Sequence, residues 1–210
     1  MLRELEPQED YLAYLQGLIE IEPLNKARLK VVVDPLYGAG IGYLEKFLQR
    51  AGCQVESIHN YRDPLFGGYM PDPGARGLAE LTQRVKETGA DLGLALDGDA
   101  DRFGIVDSDG TYYNANEILY LILAHLLQHR RYRGPVARTV ATTHNLDRLT
   151  GAYNLEVIET PVGFKYIGQA LLEKDCILGG EESGGMSIRG HIPEKDGILA
   201  AALVAELRAV

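Results

Sequence analysis

Short aliphatic runs alternate along this chain with stretches whose apolar residues recur every three or four positions. Tyr11, Leu12, Leu15, Leu18 and Ile19 keep the helical period and predict a helix over 7–21. Lys30-Val-Val-Val-Asp34 reads as a buried strand stopped by Pro35, and the glycines of 38–42 as a tight turn into a helix over 43–51. A strand over 54–58, a Pro- and Gly-rich loop over 63–74 and a helix over 75–88 follow. Strands are then expected over 92–96 and 103–107, the second turned by Ser108-Asp109-Gly110. The rhythm recurs as helix 117–128, strand 136–142, helix 146–153, strand 156–160 and helix 164–173. A short strand at 177–178, a glycine-rich loop over 179–185 and a helix over 197–208 close the chain. This alternation predicts an α/β protein of two consecutive domains, each a mixed sheet layered with helices.

At 210 residues the chain suffices for one large domain or two of about 100 residues. It is 46% apolar and 24% charged, with a mean hydropathy of −0.12, which predicts a buried core rather than disorder. The 21 Lys and Arg against 30 Asp and Glu leave a formal charge of −9, unsuited to a general nucleic-acid or anionic-membrane surface. That charge is uneven: residues 1–109 hold 11 basic and 19 acidic groups, residues 110–210 hold 10 and 11. The boundary is accordingly expected near Asp109, with domains over 1–109 and 110–210. The longest apolar run, 118–127, contains His125 and is about half a membrane span. The opening MLRELEPQED has no apolar signal-peptide core. Cys53 and Cys176 stand alone, so neither a disulfide framework nor a zinc knuckle is supported. A cytoplasmic protein with reduced thiols is the expectation.

The densest chemistry lies in Asp97-Gly-Asp99-Ala-Asp101-Arg102, directly after an apolar strand. Three carboxylates at alternate positions repel one another unless a cation or solvent intervenes. The C-terminal edge of a sheet is where α/β folds place ligands. Hard oxygen donors without nearby His or Cys suit Mg²⁺, and Arg102 beside them could hold a phosphate. A solvated acidic turn is the plainer reading. An EF-hand starting at Asp97 fails, because Arg102 and Ser108 stand where Gly and Glu are required. A dehalogenase-type phosphatase with Asp97 as nucleophile and Asp99 as acid stays open.

Two later loops add polar chemistry. Gly180-Glu181-Glu182-Ser183-Gly184-Gly185 offers carboxylate acceptors and a hydroxyl, suitable partners for sugar hydroxyls, although a glycine-rich hairpin has the same composition. His191-Ile-Pro-Glu-Lys195-Asp-Gly197 puts a lysine just ahead of a helix N-terminus, where an anion is favoured. Thr160-Pro-Val-Gly163-Phe-Lys165 precedes another helix; there Gly163 offers backbone, and Lys165 reads equally well as a surface lysine.

With these motifs in this order, the chain resembles the α-D-phosphohexomutases, the phosphoglucomutase and phosphomannomutase superfamily, over essentially its whole length, as domains two and three of four. The resemblance implies that Asp97, Asp99 and Asp101 hold Mg²⁺ and that Arg102 and Lys195 support catalysis. It also implies that Gly163, Lys165, Glu181, Ser183, His191 and Lys195 meet a hexose phosphate. The implied reaction interconverts hexose 1- and 6-phosphates through a phosphoserine, with glucose 1,6-bisphosphate as activator. The family's serine loop and its phosphate clamp, in domains one and four, have no counterpart between Met1 and Val210. The resemblance therefore implies partner domains and predicts that this chain alone binds metal and sugar phosphate without turnover. Glucose, mannose and glucosamine phosphates are not separated, though Glu182 and Gly185 lean toward glucose. A non-catalytic phosphosugar-binding module is the remaining alternative.

Two segments imitate other chemistry. Gly38-Ala-Gly40-Ile-Gly42 after a strand looks like a dinucleotide fingerprint, but Tyr43 occupies the third glycine position and Pro35 interrupts the junction. Thr142-Thr-His144-Asn145 superficially resembles a phosphoserine loop but lacks the serine, and reads as a strand end leading into a helix.

Overall fold

The computed structural model describes residues 5–210; residues 1–4, part of the segment read for a signal peptide and of the first expected domain, lie outside the described residues. The first helical period does not run unbroken to Ile21. It divides into α1 (Gln8–Gln16) and α2 (Ile21–Ala27), because Gly17 closes α1 and Glu20 takes an extended conformation at the start of α2. Pro23 falls in the first turn of α2, where no amide hydrogen is needed.

Strand β1 (Lys30–Asp34) is followed by α3 (Leu44–Arg50), β2 (Gln54–Ser57), a 3₁₀ turn at Phe66–Gly68 and α4 (Ala79–Thr88). Then come β3 (Leu92–Leu96), β4 (Phe103–Asp107) and β5 (Tyr112–Tyr113). These strands form one sheet in the order β2-β1-β3-β4-β5. β1 is parallel to β2 and β3, whereas β3-β4 and β4-β5 are antiparallel. The first sheet thus reaches Tyr113, past Asp109. The second unit contains α5 (Ala115–Gln128), β6 (Val136–Thr139), α6 (Asn145–Ala152) and β7 (Val157–Thr160). It continues with α7 (Phe164–Lys174), β8 (Leu178–Gly180), β9 (Met186–Ile188) and α8 (Gly197–Ala209). Its sheet runs β7-β6-β8-β9, with β6 parallel to β7 and β8 and a closing β8-β9 hairpin. The two units share one plan. Each has a strand with a parallel neighbour on either side, one of which turns back through an antiparallel hairpin, so the β3-β4 and β8-β9 hairpin loops are equivalent; the first sheet adds β5 beyond that hairpin.

Successive strand residues face opposite sides, and the core follows that alternation. Val31, Val33, Leu94 and Leu96 join a large apolar cluster that also takes in Leu178, Met186 and α8, whereas Val32 and Ala95 pack with Leu81 and Val85 of α4. On the second sheet Ala137 turns to Phe164 and Ile167 of α7. Helix α8 is buried along its whole run from Gly197 to Glu206, on every face. It packs on strands of both sheets, so the two units share one core. No helix among the described residues is long and apolar enough to cross a membrane.

Candidate active site

The acidic loop is the connection between β3 and β4, so short that Ala100 must adopt a left-handed conformation (φ 64°). Asp97 leaves the C-terminal end of β3 buried, and its Oδ1 accepts the Arg102 amide at 2.9 Å. The glycine turn after β1 supports this loop from below. Ala39 N donates to Gly98 O at 2.9 Å, and a Cβ on Gly38 would stand 2.5 Å from the same oxygen. The fingerprint-like glycines therefore serve close backbone packing.

Asp97, Asp99 and Asp101 each present an oxygen within 4.8 Å of the others. Burial pushes the Asp97 carboxyl up to about 6, reinforced by the charges of Asp101 and Asp99 and opposed by the Arg102 amide. The Arg102 Nε lies 3.6 Å from Asp97 Oδ2 and 3.7 Å from Asp101 Oδ1. Asp101 Oδ1 is buried and accepts no hydrogen bond from the described residues. A buried acceptor without a donor, among oxygen-only ligands, fits a hard divalent cation such as magnesium.

The equivalent β8-β9 hairpin carries the second loop. Glu181 N donates to Gly185 O at 2.9 Å, and Gly184 turns the chain with φ 101°. Glu181 is buried and accepts the Gly163 amide at 2.9 Å, so that amide orients Glu181 instead of facing a substrate. Burial raises the Glu181 carboxyl and the Glu182 charge adds to this, while the Gly163 amide, Lys195 and Arg102 oppose it. Glu182 accepts from Thr139 Oγ1 at 2.9 Å, and Ser183 is exposed.

The segment before α8 joins the two hairpins. Lys195 Nζ pairs with Asp101 Oδ2, and the Lys195 stem runs beside Gly185. Gly197 N donates to Ala100 O at 3.0 Å, and a Cβ there would come within 2.3 Å of Arg102 O. Asp196 caps α8 by accepting from Leu199 N at 2.9 Å and also accepts the Tyr11 hydroxyl at 2.7 Å. The cluster therefore gathers Asp97, Asp99, Asp101, Arg102, Glu181 and Lys195, with Gly163 behind Glu181 and Ser183 exposed on the same hairpin loop as Glu181. Two expected members lie apart. The His191 side chain is 1% exposed, stacked on Tyr14 with Nε2 3.1 Å from Asp196 Oδ2, so it supports the segment rather than facing the cluster. Lys165 is exposed and rests its Nζ 4.8 Å over the Tyr166 ring.

Sequence reasoning read Gly197 only as the start of a helix and Thr139 only as part of a strand. An Asp-Gly pair before an apolar run is a readable helix start, but its backbone approach to the acidic loop is not. The Thr139–Glu182 pairing joins residues far apart in the chain and left no local signal.

Two family models match the chain. The one described as phosphoglucomutase/phosphomannomutase alpha/beta/alpha domain II covers residues 9–110, and the corresponding domain III covers 114–210. A Thermococcus kodakarensis relative named phosphoglucomutase/phosphomannomutase is 32% identical over 98% of this chain and 45% of its own length. Human phosphoglucomutase-1 is 33% identical over 91% of this chain and 36% of its own. A crystal structure of a Thermus thermophilus protein superposes with a TM-score of 0.94 at 33% identity, over 100% of this chain and 48% of that one. The chain thus spans less than half the length of the relatives it matches.

Proposed function

This chain belongs to the phosphoglucomutase/phosphomannomutase family, and from that premise we propose that it supplies the cation-binding and sugar-recognising part of a phosphohexomutase. The observation that carries this reading is the convergence of the two equivalent hairpin loops. Lys195, from the sugar-loop side, reaches Asp101 on the acidic loop, and Gly197 locks the two backbones together.

Asp97, Asp99 and Asp101 are the residues to hold Mg²⁺, which when bound neutralises charge on a phosphoryl group passing beside it. Arg102 steadies phosphoryl oxygens. Glu181, aimed by the Gly163 amide, accepts hydrogen bonds from sugar hydroxyls, and Ser183 both donates and accepts. Lys195 holds the substrate phosphate. The transferred phosphoryl group comes from a serine in the remainder of the protein, with glucose 1,6-bisphosphate as activator, so the present chain binds without turning over. The substrate is a hexose phosphate, with glucose favoured, in a cytoplasmic setting and with the boundary between the two units a few residues past Asp109, after Tyr113. Family membership sets aside the dehalogenase-type phosphatase.

Adding glucose 1-phosphate in the presence of Mg²⁺ should move amide resonances of 180–185 and 195–197 in NMR spectra. Glu181→Gln should weaken that binding by roughly 1.5–3 kcal/mol, the worth of a hydrogen bond to a charged group. Shifts confined to 38–42 would contradict the assignment.

A further inference from the structure

Both cationic side chains of this cluster are already engaged on its carboxylates. Lys195 Nζ sits on Asp101 Oδ2, and Arg102 Nε lies between Asp97 Oδ2 and Asp101 Oδ1. A phosphate approaching this surface meets three carboxylates and two cations that they occupy. Counting Asp97, Asp99, Asp101 and Glu181, whose carboxylate flanks the Lys195 stem at Gly185, against Lys195 and Arg102, the local balance is two net negative charges. Lys195 is not free to bind an anion without giving up its carboxylate.

We propose that a divalent cation and a phosphate group bind this chain cooperatively, because the cation takes Asp101 from Lys195 and so hands the lysine to the phosphate. This inference rests on the reading of Asp97, Asp99 and Asp101 as the cation loop. Two observations favour an exchange over simple coexistence. Within the cluster, Asp101 is a carboxylate that joins the two units: Lys195 comes from the segment before α8, while Asp101 belongs to the β3-β4 loop. Its Oδ1 is buried and has no hydrogen-bond donor among the described residues, the Arg102 Nε standing off at 3.7 Å, while Oδ2 carries the lysine. A doubly charged ion bound at Asp101 repels an ammonium on the same carboxylate. The backbone on either side is held by the Gly197–Ala100 hydrogen bond and the Asp196 cap, so the lysine side chain moves while its Cα stays. Once the cation is bound, the same groups are balanced, and the repulsion met by a phosphate is removed.

Linkage makes the effect reciprocal: whatever the cation does for phosphate affinity, phosphate does for the cation. It also gives Lys195 a signature that a plain phosphate ligand lacks. Removing its charge should tighten the cation, since a competitor for Asp101 is gone, while abolishing the cation's effect on phosphate.

The test titrates inorganic phosphate into the chain by NMR, without Mg²⁺ and at saturating Mg²⁺, and measures Mg²⁺ affinity by calorimetry. Wild type, Lys195→Met and Lys195→Arg are compared after their unfolding transitions have been matched. In wild type, phosphate affinity at 184–197 should rise several-fold with Mg²⁺. In Lys195→Met that rise should vanish and Mg²⁺ should bind several-fold tighter; Lys195→Arg should keep part of the rise. Equal phosphate affinity with and without Mg²⁺ in wild type, or unchanged or weaker Mg²⁺ binding in Lys195→Met, would overturn the exchange while leaving the cation loop intact. Mg²⁺ binding that Asp99→Ala does not alter would remove the cation-loop reading and the exchange with it.

Discussion

Glu206 shows how much rests on single residues outside the site. It is fully buried on α8, where His125 Nε2 lies 2.6 Å from Oε1, Arg130 pairs with both oxygens and the Glu20 amide donates at 2.8 Å. Burial alone would raise its carboxyl, but the hydrogen bonds from His125 and Arg130, with the Arg130 charge, outweigh that and hold it below the usual carboxylate range. Because the folded value is depressed, this contribution is complete above the ordinary glutamate range and is lost as the pH falls through the folded value. Glu206→Ala leaves Arg130 buried without its partner and should cost about 3–5 kcal/mol at neutral pH. Chemical denaturation from pH 7 down to pH 3 should show the gap between wild type and variant closing on the acid side. A gap that widens there would contradict the assignment. Gly197 is the second such residue. An alanine Cβ meets the backbone oxygens of Arg102 and Ala100, which cannot swing aside. Gly197→Ala should lower stability by about 1–3 kcal/mol, read from the urea midpoint, and an unchanged midpoint would show that the approach is looser than described.

Among the elements, α5 is the one whose start is most fully specified by side chains. Asn114 Oδ1 accepts the Glu117 amide at 3.2 Å, and Glu117 Oε2 accepts the Asn114 amide at 2.8 Å, a reciprocal capping box. Asn114→Ala should cost about 1 kcal/mol in the same unfolding measurement, and Asn114→Asp should retain most of the cap. Most elements were legible because their periods are strong. The Lys30–Asp34, Leu92–Leu96 and Phe103–Asp107 strands and the closing helix stand where the pattern puts them. The failures have physical causes. The helix over 7–21 is really two because Glu20, giving its amide to Glu206, is fixed extended by a contact far along the chain. The strand expected to reach Thr142 ends at Thr139, where the Thr139 and Thr142 hydroxyls, 2.9 Å apart, turn the chain. β5 and β9 are too short to show any alternation and exist only through their hairpin partners.

At the scale of the molecule, the motifs were readable and their assembly was not. Asp97, Asp99 and Asp101 declare themselves by spacing, and Glu181 and Ser183 by chemistry. That the two loops are equivalent hairpins of twin sheets, joined by Lys195 and Gly197 over a shared α8, appears only in three dimensions. The same assembly explains why Gly163 and His191, both plausible substrate contacts in the sequence, are turned to other work: one aims Glu181 and the other packs on Tyr14. The central claim is that one cation site, built by the acidic loop, lies within reach of the sugar loop. Titration with Mn²⁺, followed by paramagnetic broadening of amide resonances, tests it most directly. Broadening should begin at 97–102, extend to 183–185 and 195–197, and disappear in Asp99→Ala. Broadening centred elsewhere, or undiminished in that variant, would contradict the account.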